Sequence, residues 1–111
     1  MYKSIEEKIN QNYESAEFCE INGRILRSLN VLNDKKPKLN SFITLFSDVD
    51  FNNFSDCIKY LSLSGYVKTI DIFTNKEKVF SVKDFNETAV TLTVDGIRLL
   101  KGKTEDKAVN V

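Results

Sequence analysis

Apolar residues recur along this chain with two different periods, and the change from one to the other falls at Gly65. Before it, the spacing is helical. Tyr2, Ile5, Ile9 and Tyr13 form one stripe, and Ser4 followed by Glu6 and Glu7 supplies a cap and an acidic first turn, which predicts a helix over 3–13. Phe18, Ile21, Ile25, Leu29 and Leu32 form a second stripe and predict a helix over 15–32, with Gly23 as a weak point costing ~1 kcal/mol relative to alanine. Residues 40–46 read as a short helix with Phe42, Leu45 and Phe46 inward. A turn at 47–50 leads to a helix from Asn52 or Asn53 to Ser64, whose inward face is Phe54, Cys57, Ile58 and Leu61 and whose stop is Gly65.

Beyond Gly65 the period drops to two. Tyr66, Ile70 and Ile72 alternate with Val67, Thr69, Asp71 and Phe73, which predicts a strand. Thr74-Asn75-Lys76-Glu77 is a turn, residues 78–82 a second strand, residues 83–87 a polar turn and residues 88–92 a third strand. Thr93 then caps a last helix over 94–101, with Ile97 and Leu100 on one face, and the polar tail 103–111 is expected to fray. The pattern is that of one α+β domain over 1–111 with its core at about 15–102, and the single proline, Pro37, marks a loop between the second and third elements.

Composition narrows the chemistry. The chain has 111 residues, no histidine and two cysteines, which excludes Ser-His-Asp and Cys-His catalysis and the zinc sites that need histidine or four cysteines. Glu6/Glu7 and Asp48/Asp50 are paired carboxylates that capping and turn formation explain. Cys57 lies on an apolar face and reads as a small buried hydrophobe. No enzyme, metal or cofactor is expected. No apolar run is long enough to span a membrane, and Tyr-Lys-Ser-Ile-Glu-Glu after Met1 lacks the apolar stretch of a signal peptide. A cytoplasmic location with both thiols reduced is therefore expected.

Formal net charge is zero, from 16 basic and 16 acidic side chains, but the signs come in blocks. Arg24, Arg27, Lys35, Lys36 and Lys38 fall together against Asp34, and Lys59, Lys68, Lys76, Lys78 and Lys83 fall together against Asp71 and Glu77. Acidic blocks separate them. Such alternation suits a polar binding face and equally an ordinary mixed surface. Residue usage, 13 Lys, 11 Asn and 9 Ile against 3 Ala and 3 Arg, matches A·T-rich codons and hints at an A·T-rich target.

Three stretches, taken in order, resemble the winged helix-turn-helix family of DNA-binding proteins over roughly residues 20–102. Residues 23–29, Gly-Arg-Ile-Leu-Arg-Ser-Leu, look like its first core helix. Residues 56–67, Asp-Cys-Ile-Lys-Tyr-Leu-Ser-Leu-Ser-Gly-Tyr-Val, look like its second motif helix running into the first wing strand. Residues 92–100, Leu-Thr-Val-Asp-Gly-Ile-Arg-Leu-Leu, are similar to the Leu-Thr-x-x-Gly-x-x-x-Leu stretch that follows the wing. The resemblance implies a winged helix-turn-helix with an extra N-terminal helix and a β-hairpin wing, of the kind common in small plasmid and phage proteins.

It also implies a function: site-specific binding of double-stranded DNA, as a transcription regulator or as an accessory factor at a plasmid or phage locus such as an origin of transfer (conjugation) or replication. The alternative is a winged-helix protein-interaction module that does not bind DNA. In the family the second motif helix reads the major groove and the wing touches backbone or minor groove. The outward helix positions are read as Asn52, Asn53, Ser55, Asp56, Lys59 and Ser62, a set with one lysine offset by Asp56. The hairpin offers Lys68, Thr69, Thr74, Asn75, Lys76 and Lys78, so charge placement points to the wing as the main contact. Arg24, Arg27, Lys35, Lys36 and Lys38 are further candidates for phosphate. The Tyr2, Ile5 and Ile9 stripe exceeds what so small a core needs and is read as a homodimer interface.

Overall fold

A computed structural model describes the chain over residues 5–32 and 35–111, with side chains from residue 16 onward. Residues 5–32 form one continuous helix, α1 (Ile5–Leu32), where two were expected. The step from Tyr13 to Phe18 shifts the apolar stripe to another face, but neither proline nor glycine lies between them, so nothing stops the helix. The stripe of Tyr2, Ile5 and Ile9 lies outside the described side chains. Pro37 and Lys38 then lead into α2 (Leu39–Phe42), which tightens into a 3₁₀ turn at Ile43–Phe46.

Helix α3 (Phe51–Leu63) starts one residue before the expected range. Asp50 caps it: the Asn53 amide N–H donates to Asp50 Oδ1 at 2.7 Å. At the other end Gly65 takes φ 82°, and the Tyr66 N–H donates back to the Leu61 carbonyl at 2.9 Å. The left-handed glycine reverses the chain into β1 (Val67–Asp71). A second strand, β2 (Thr88–Leu92), pairs antiparallel with it, Val67 opposite Leu92 through Asp71 opposite Thr88. Thr93 caps α4 (Val94–Leu100) through the Gly96 N–H at 3.1 Å, and its hydroxyl also donates to the Gly65 carbonyl at 2.6 Å.

The sheet is widened on both sides by short contacts. Lys38 bridges Ala89 on the free side of β2, and the Val90 N–H donates to the Pro37 carbonyl at 3.0 Å. On the free side of β1, Ile70 bridges Glu77, and the Lys78 N–H donates to the Thr69 carbonyl at 2.9 Å. The expected strand at 78–82 does not form, and the bridge to β1 falls just before it, at Glu77. After Lys78 the chain leaves the sheet edge and coils through a 3₁₀ segment at Val82–Glu87 before entering β2.

The core lies between α1, α3 and the inner face of the sheet. Ile21, Ile25, Leu26 and Leu29 meet Phe54, Cys57, Ile58 and Leu61, with Val67 and Val90 beneath. Phe42, Phe46 and Phe54 form an aromatic cluster with ring centroids 5.2–6.1 Å apart, and Phe85 joins it at 6.2 Å from Phe54. One inward assignment is corrected: Leu45 is 57% exposed because the 3₁₀ turn brings Phe46, not Leu45, beneath Phe42. On α4 the buried residue is Leu99, while Ile97 is 40% exposed.

The largest departure is the tail. Residues 106–110 do not fray but run back along α1 and bury Val109. The Asn110 N–H donates to the Cys19 carbonyl at 3.0 Å, Asn22 Nδ2 to the Ala108 carbonyl at 2.9 Å, and Arg27 to the Asn110 carbonyl at 2.7 Å. Tyr60 and Tyr66 both donate to Asp106 Oδ2, at 2.7 and 2.8 Å. Gly23 lets the tail come this close, since a Cβ there would overlap the Asn110 carbonyl oxygen. No helix among the described residues is long and apolar enough to cross a membrane.

Candidate nucleic-acid interface

The loop after β1 is built around Asp71. Its Oδ1 accepts from the Phe73 N–H at 2.8 Å and the Thr74 N–H at 3.1 Å. Its carbonyl accepts from the Asn75 N–H at 2.8 Å, and its own N–H donates to the Lys76 carbonyl at 2.8 Å. These backbone donors, first Phe73 and then Thr74, hold the Asp71 carboxyl below its usual range, and Lys78 at 3.6 Å adds to the effect. Asn75 sits at φ 58°, the left-handed region that asparagine enters more readily than most residues. The result is a tight, fixed tip that exposes Phe73, Thr74, Asn75 and Lys76.

Of the wing residues singled out from the sequence, Thr74, Asn75 and Lys76 are exposed on this projection, and Lys68 is exposed near the start of β1, beside the end of α3. Lys78 is half-buried, its ammonium held by Asp71 and by the Glu87 carbonyl at 3.4 Å. Thr69 cannot reach a partner. It is buried, and its hydroxyl donates to the Lys78 carbonyl at 2.6 Å. The alternation that places Lys68 outward turns Thr69 under the loop.

On α3, Asn52, Asn53 and Lys59 are exposed, but Ser55 is buried, because it lies one turn before Ile58 at the flank of the inward face. Its Oγ has no partner among the described residues. Asn53 is partly committed as well, its Nδ2 donating to Asp50 Oδ2 at 3.2 Å. An open groove of about 420 Å³ joins the last turn of α3 to the wing, lined by Ser62, Leu63, Lys68, Glu77, Val79 and Phe80 among others. Helix and wing thus share one continuous surface, on which Leu63 and Val79 are 72% and 84% exposed.

The other basic block divides. Arg24 makes a two-pronged pair with Asp48 at 2.8 and 3.1 Å and lies over the Phe46 ring, and this hydrogen-bonded pairing raises its own pKa and lowers that of Asp48. Arg27 is engaged by the tail. Lys35, Lys36 and Lys38, in the loop before α2, are all exposed. The thiol of Cys57 is buried in the core and pushed up to about 12 by desolvation, which keeps it protonated and inert. Among the described residues no three histidine, cysteine or acidic side chains gather as a metal site would require.

One signal in the sequence has a second reading. Alternation makes Phe73 a strand residue, whereas Asp71-x-x-Thr-Asn is a turn sequence that lifts the phenylalanine out of the sheet. Comparison with known protein families, with curated proteins and with solved structures finds no match to the chain.

Proposed function

We propose that this domain binds double-stranded DNA as a winged helix-turn-helix protein, with the loop after β1 as its wing and main contact. The observation that carries the reading is the fixed, projecting tip of Thr74, Asn75 and Lys76, backed by exposed Lys68 and joined through one groove to the exposed face of α3. The connectivity supports it: a helix, a short bridge at Lys38, two helices, a strand, a long loop and a returning strand that the bridge also touches. Asparagine and lysine at a narrow tip suit the A·T-rich minor groove, while Asn52 and Lys59 on α3 supply secondary contacts. The protein acts in this reading without cofactor or catalysis, as a homodimer through Tyr2, Ile5 and Ile9, in transcription regulation or at a plasmid or phage origin.

The second reading, a protein-interaction module, draws on the same groove. Leu63 and Val79 are exposed in it, and net charge is zero. A gel shift at two salt concentrations separates the two. DNA binding that falls steeply with salt, by ~0.9 in log–log slope per phosphate neutralised, supports the first reading. Within it, Asn75→Gly with Lys76→Ala should weaken binding by ~1–3 kcal/mol for each base edge no longer read, and more than Asn52→Ala with Lys59→Ala. Glycine is the right replacement for Asn75 because it keeps the left-handed backbone. Failure to bind in the helix pair alone would assign the affinity to α3 instead.

A further inference from the structure

Phe73 is the aromatic side chain at the wing tip, and it is 75% exposed. A single exposed apolar residue is ordinary on a protein surface. What distinguishes this one is its mounting. The loop that lifts it is closed by hydrogen bonds that do not involve the ring: Phe73 and Thr74 N–H to the Asp71 carboxylate, Asn75 N–H to the Asp71 carbonyl, and Lys76 N–H to Thr74 Oγ1 at 3.3 Å. The ring therefore contributes nothing visible to the loop that carries it. A freely mobile loop could fold the ring back against the sheet, whereas this one holds it outward at the cost of leaving it in water.

Its neighbours say what it meets. Thr74, Asn75 and Lys76 follow it directly and are exposed. Of the two carboxylates of this loop, Asp71 is engaged by the loop's own N–H groups and by Lys78, and Glu77 is exposed beside Lys76. A flat ring held outward beside exposed hydrogen-bonding side chains and the Lys76 ammonium complements a target with polar edges and phosphates outside and apolar layers between. Stacked base pairs behind a phosphate backbone have that chemistry.

We propose that Phe73 is a wedge that enters the DNA minor groove and partly unstacks one base step, an inference that rests on the DNA-binding reading above. Asn75 and Lys76 hold the tip in the groove by its edges and phosphates, and the ring slides between adjacent base pairs at a flexible pyrimidine–purine step. TA steps open most easily, so the wedge adds a preference for deformable sequence that no hydrogen bond would record.

The test uses the full chain with an alternating T·A duplex carrying 2-aminopurine, in which every second step is TA, and with a stiff A-tract duplex as control. Binding is followed by anisotropy and unstacking by 2-aminopurine fluorescence. The intact protein should bind both duplexes and raise the fluorescence of the alternating one severalfold more than that of the A-tract. Phe73→Ala should still bind, roughly 10-fold more weakly, as expected when one stacked aromatic is removed, and should lose the fluorescence rise; Phe73→Leu should restore part of it. An unchanged melting temperature in Phe73→Ala shows that the loop is intact. Binding by the intact protein without unstacking, or unstacking that survives in Phe73→Ala, overturns the wedge and leaves the DNA-binding reading standing. No binding to either duplex at low salt overturns both.

Discussion

The tail and the wing are both short irregular segments rich in lysine, threonine and acidic residues, yet they end in opposite states. The tail, Lys-Thr-Glu-Asp-Lys-Ala-Val-Asn-Val, is the more polar of the two and buries Val109 to 5% exposure. The wing contains Ile72, Phe73, Val79 and Phe80 and leaves Phe73 and Val79 in water. Local hydropathy would assign them the other way round. The difference lies in what each segment meets. The tail finds acceptors and donors already placed by the core: the Cys19 carbonyl, the Asn22 amide, and two tyrosine hydroxyls at the end of α3. The tip of the wing satisfies its polar groups around Asp71, and of its apolar side chains Phe73 and Val79 remain outside. Burial of a short segment is decided by complementarity with the rest of the chain, and a segment that is rigid yet leaves apolar groups exposed is the one free to serve a partner.

The sharpest way to break this comparison is at Gly23. Alanine there should raise helix propensity by ~1 kcal/mol, but it displaces the tail, removing the burial of Val109 and the bonds to Asn110 for a net destabilisation of about 2 kcal/mol. In a chain truncated after Lys103 the obstacle is gone, and the same substitution should stabilise by up to ~1 kcal/mol. Urea denaturation of the four proteins in this cycle measures the change of sign. If Gly23→Ala destabilises the truncated chain as well, the glycine serves something other than the tail.

A smaller effect is expected at Asp106. Desolvation raises its pKa, but the hydrogen bonds from Tyr60, the Ala108 N–H and Tyr66 outweigh it and hold the carboxyl below its ordinary value. A carboxyl lowered in the folded state stabilises above its unfolded pKa, and that contribution disappears as pH falls through the folded value. Tyr66 is pushed up to about 12, first by burial and then by Asp106, and Tyr60 is raised by the same carboxylate. Their contribution is complete below the tyrosine's unfolded pKa and vanishes as pH rises through the folded one. The tail should therefore be held most firmly between about pH 4 and pH 10. Asp106→Ala should cost ~1–2 kcal/mol at pH 7 and flatten both limbs of the stability profile, while Asn75→Gly in the wing leaves the profile unchanged.

Much of this architecture was legible in the residues, and the misreadings have physical causes. Phe54, Cys57, Ile58 and Leu61 face inward as their spacing demands, and Gly65 and Thr93 end and begin helices where their backbone and capping chemistry place them. The break expected near Tyr13 confused a change of face with a change of structure. Residues 78–82 have the composition of a strand, but strand pairing needs a free edge to continue along, and the Thr69 hydroxyl takes the Lys78 carbonyl where a ladder would begin. The tail carried no periodic signal at all. Its trace was Gly23, which reads as a flaw in a helix until the segment that passes over it is known. In the candidate interface, the exposed tip at Thr74, Asn75 and Lys76 follows from turn chemistry, whereas Ser55 lies at the flank of the inward face of α3, where spacing alone does not decide burial, and Thr69 is covered by the loop that returns along the edge of β1.

The smallest effect on stability is expected at Asn75, where the wing's independence from the core is most directly tested. The residue is left-handed, at φ 58°, and exposed. Glycine enters this region without a steric penalty, so Asn75→Gly should change folding stability by less than about 0.5 kcal/mol. Alanine keeps the Cβ that crowds the following carbonyl but lacks the short polar side chain that eases asparagine into this region, so Asn75→Ala should cost up to about 1 kcal/mol, confined to the loop. Because the loop closes on Asp71 rather than on the core, the strain should appear as faster exchange of the Phe73, Thr74 and Asn75 amides and leave the Val109 and Asn110 amides of the tail untouched. Loosening of the tail amides in Asn75→Ala would show that the two segments are coupled through the sheet, and that the wing is not the self-contained unit its hydrogen bonds describe.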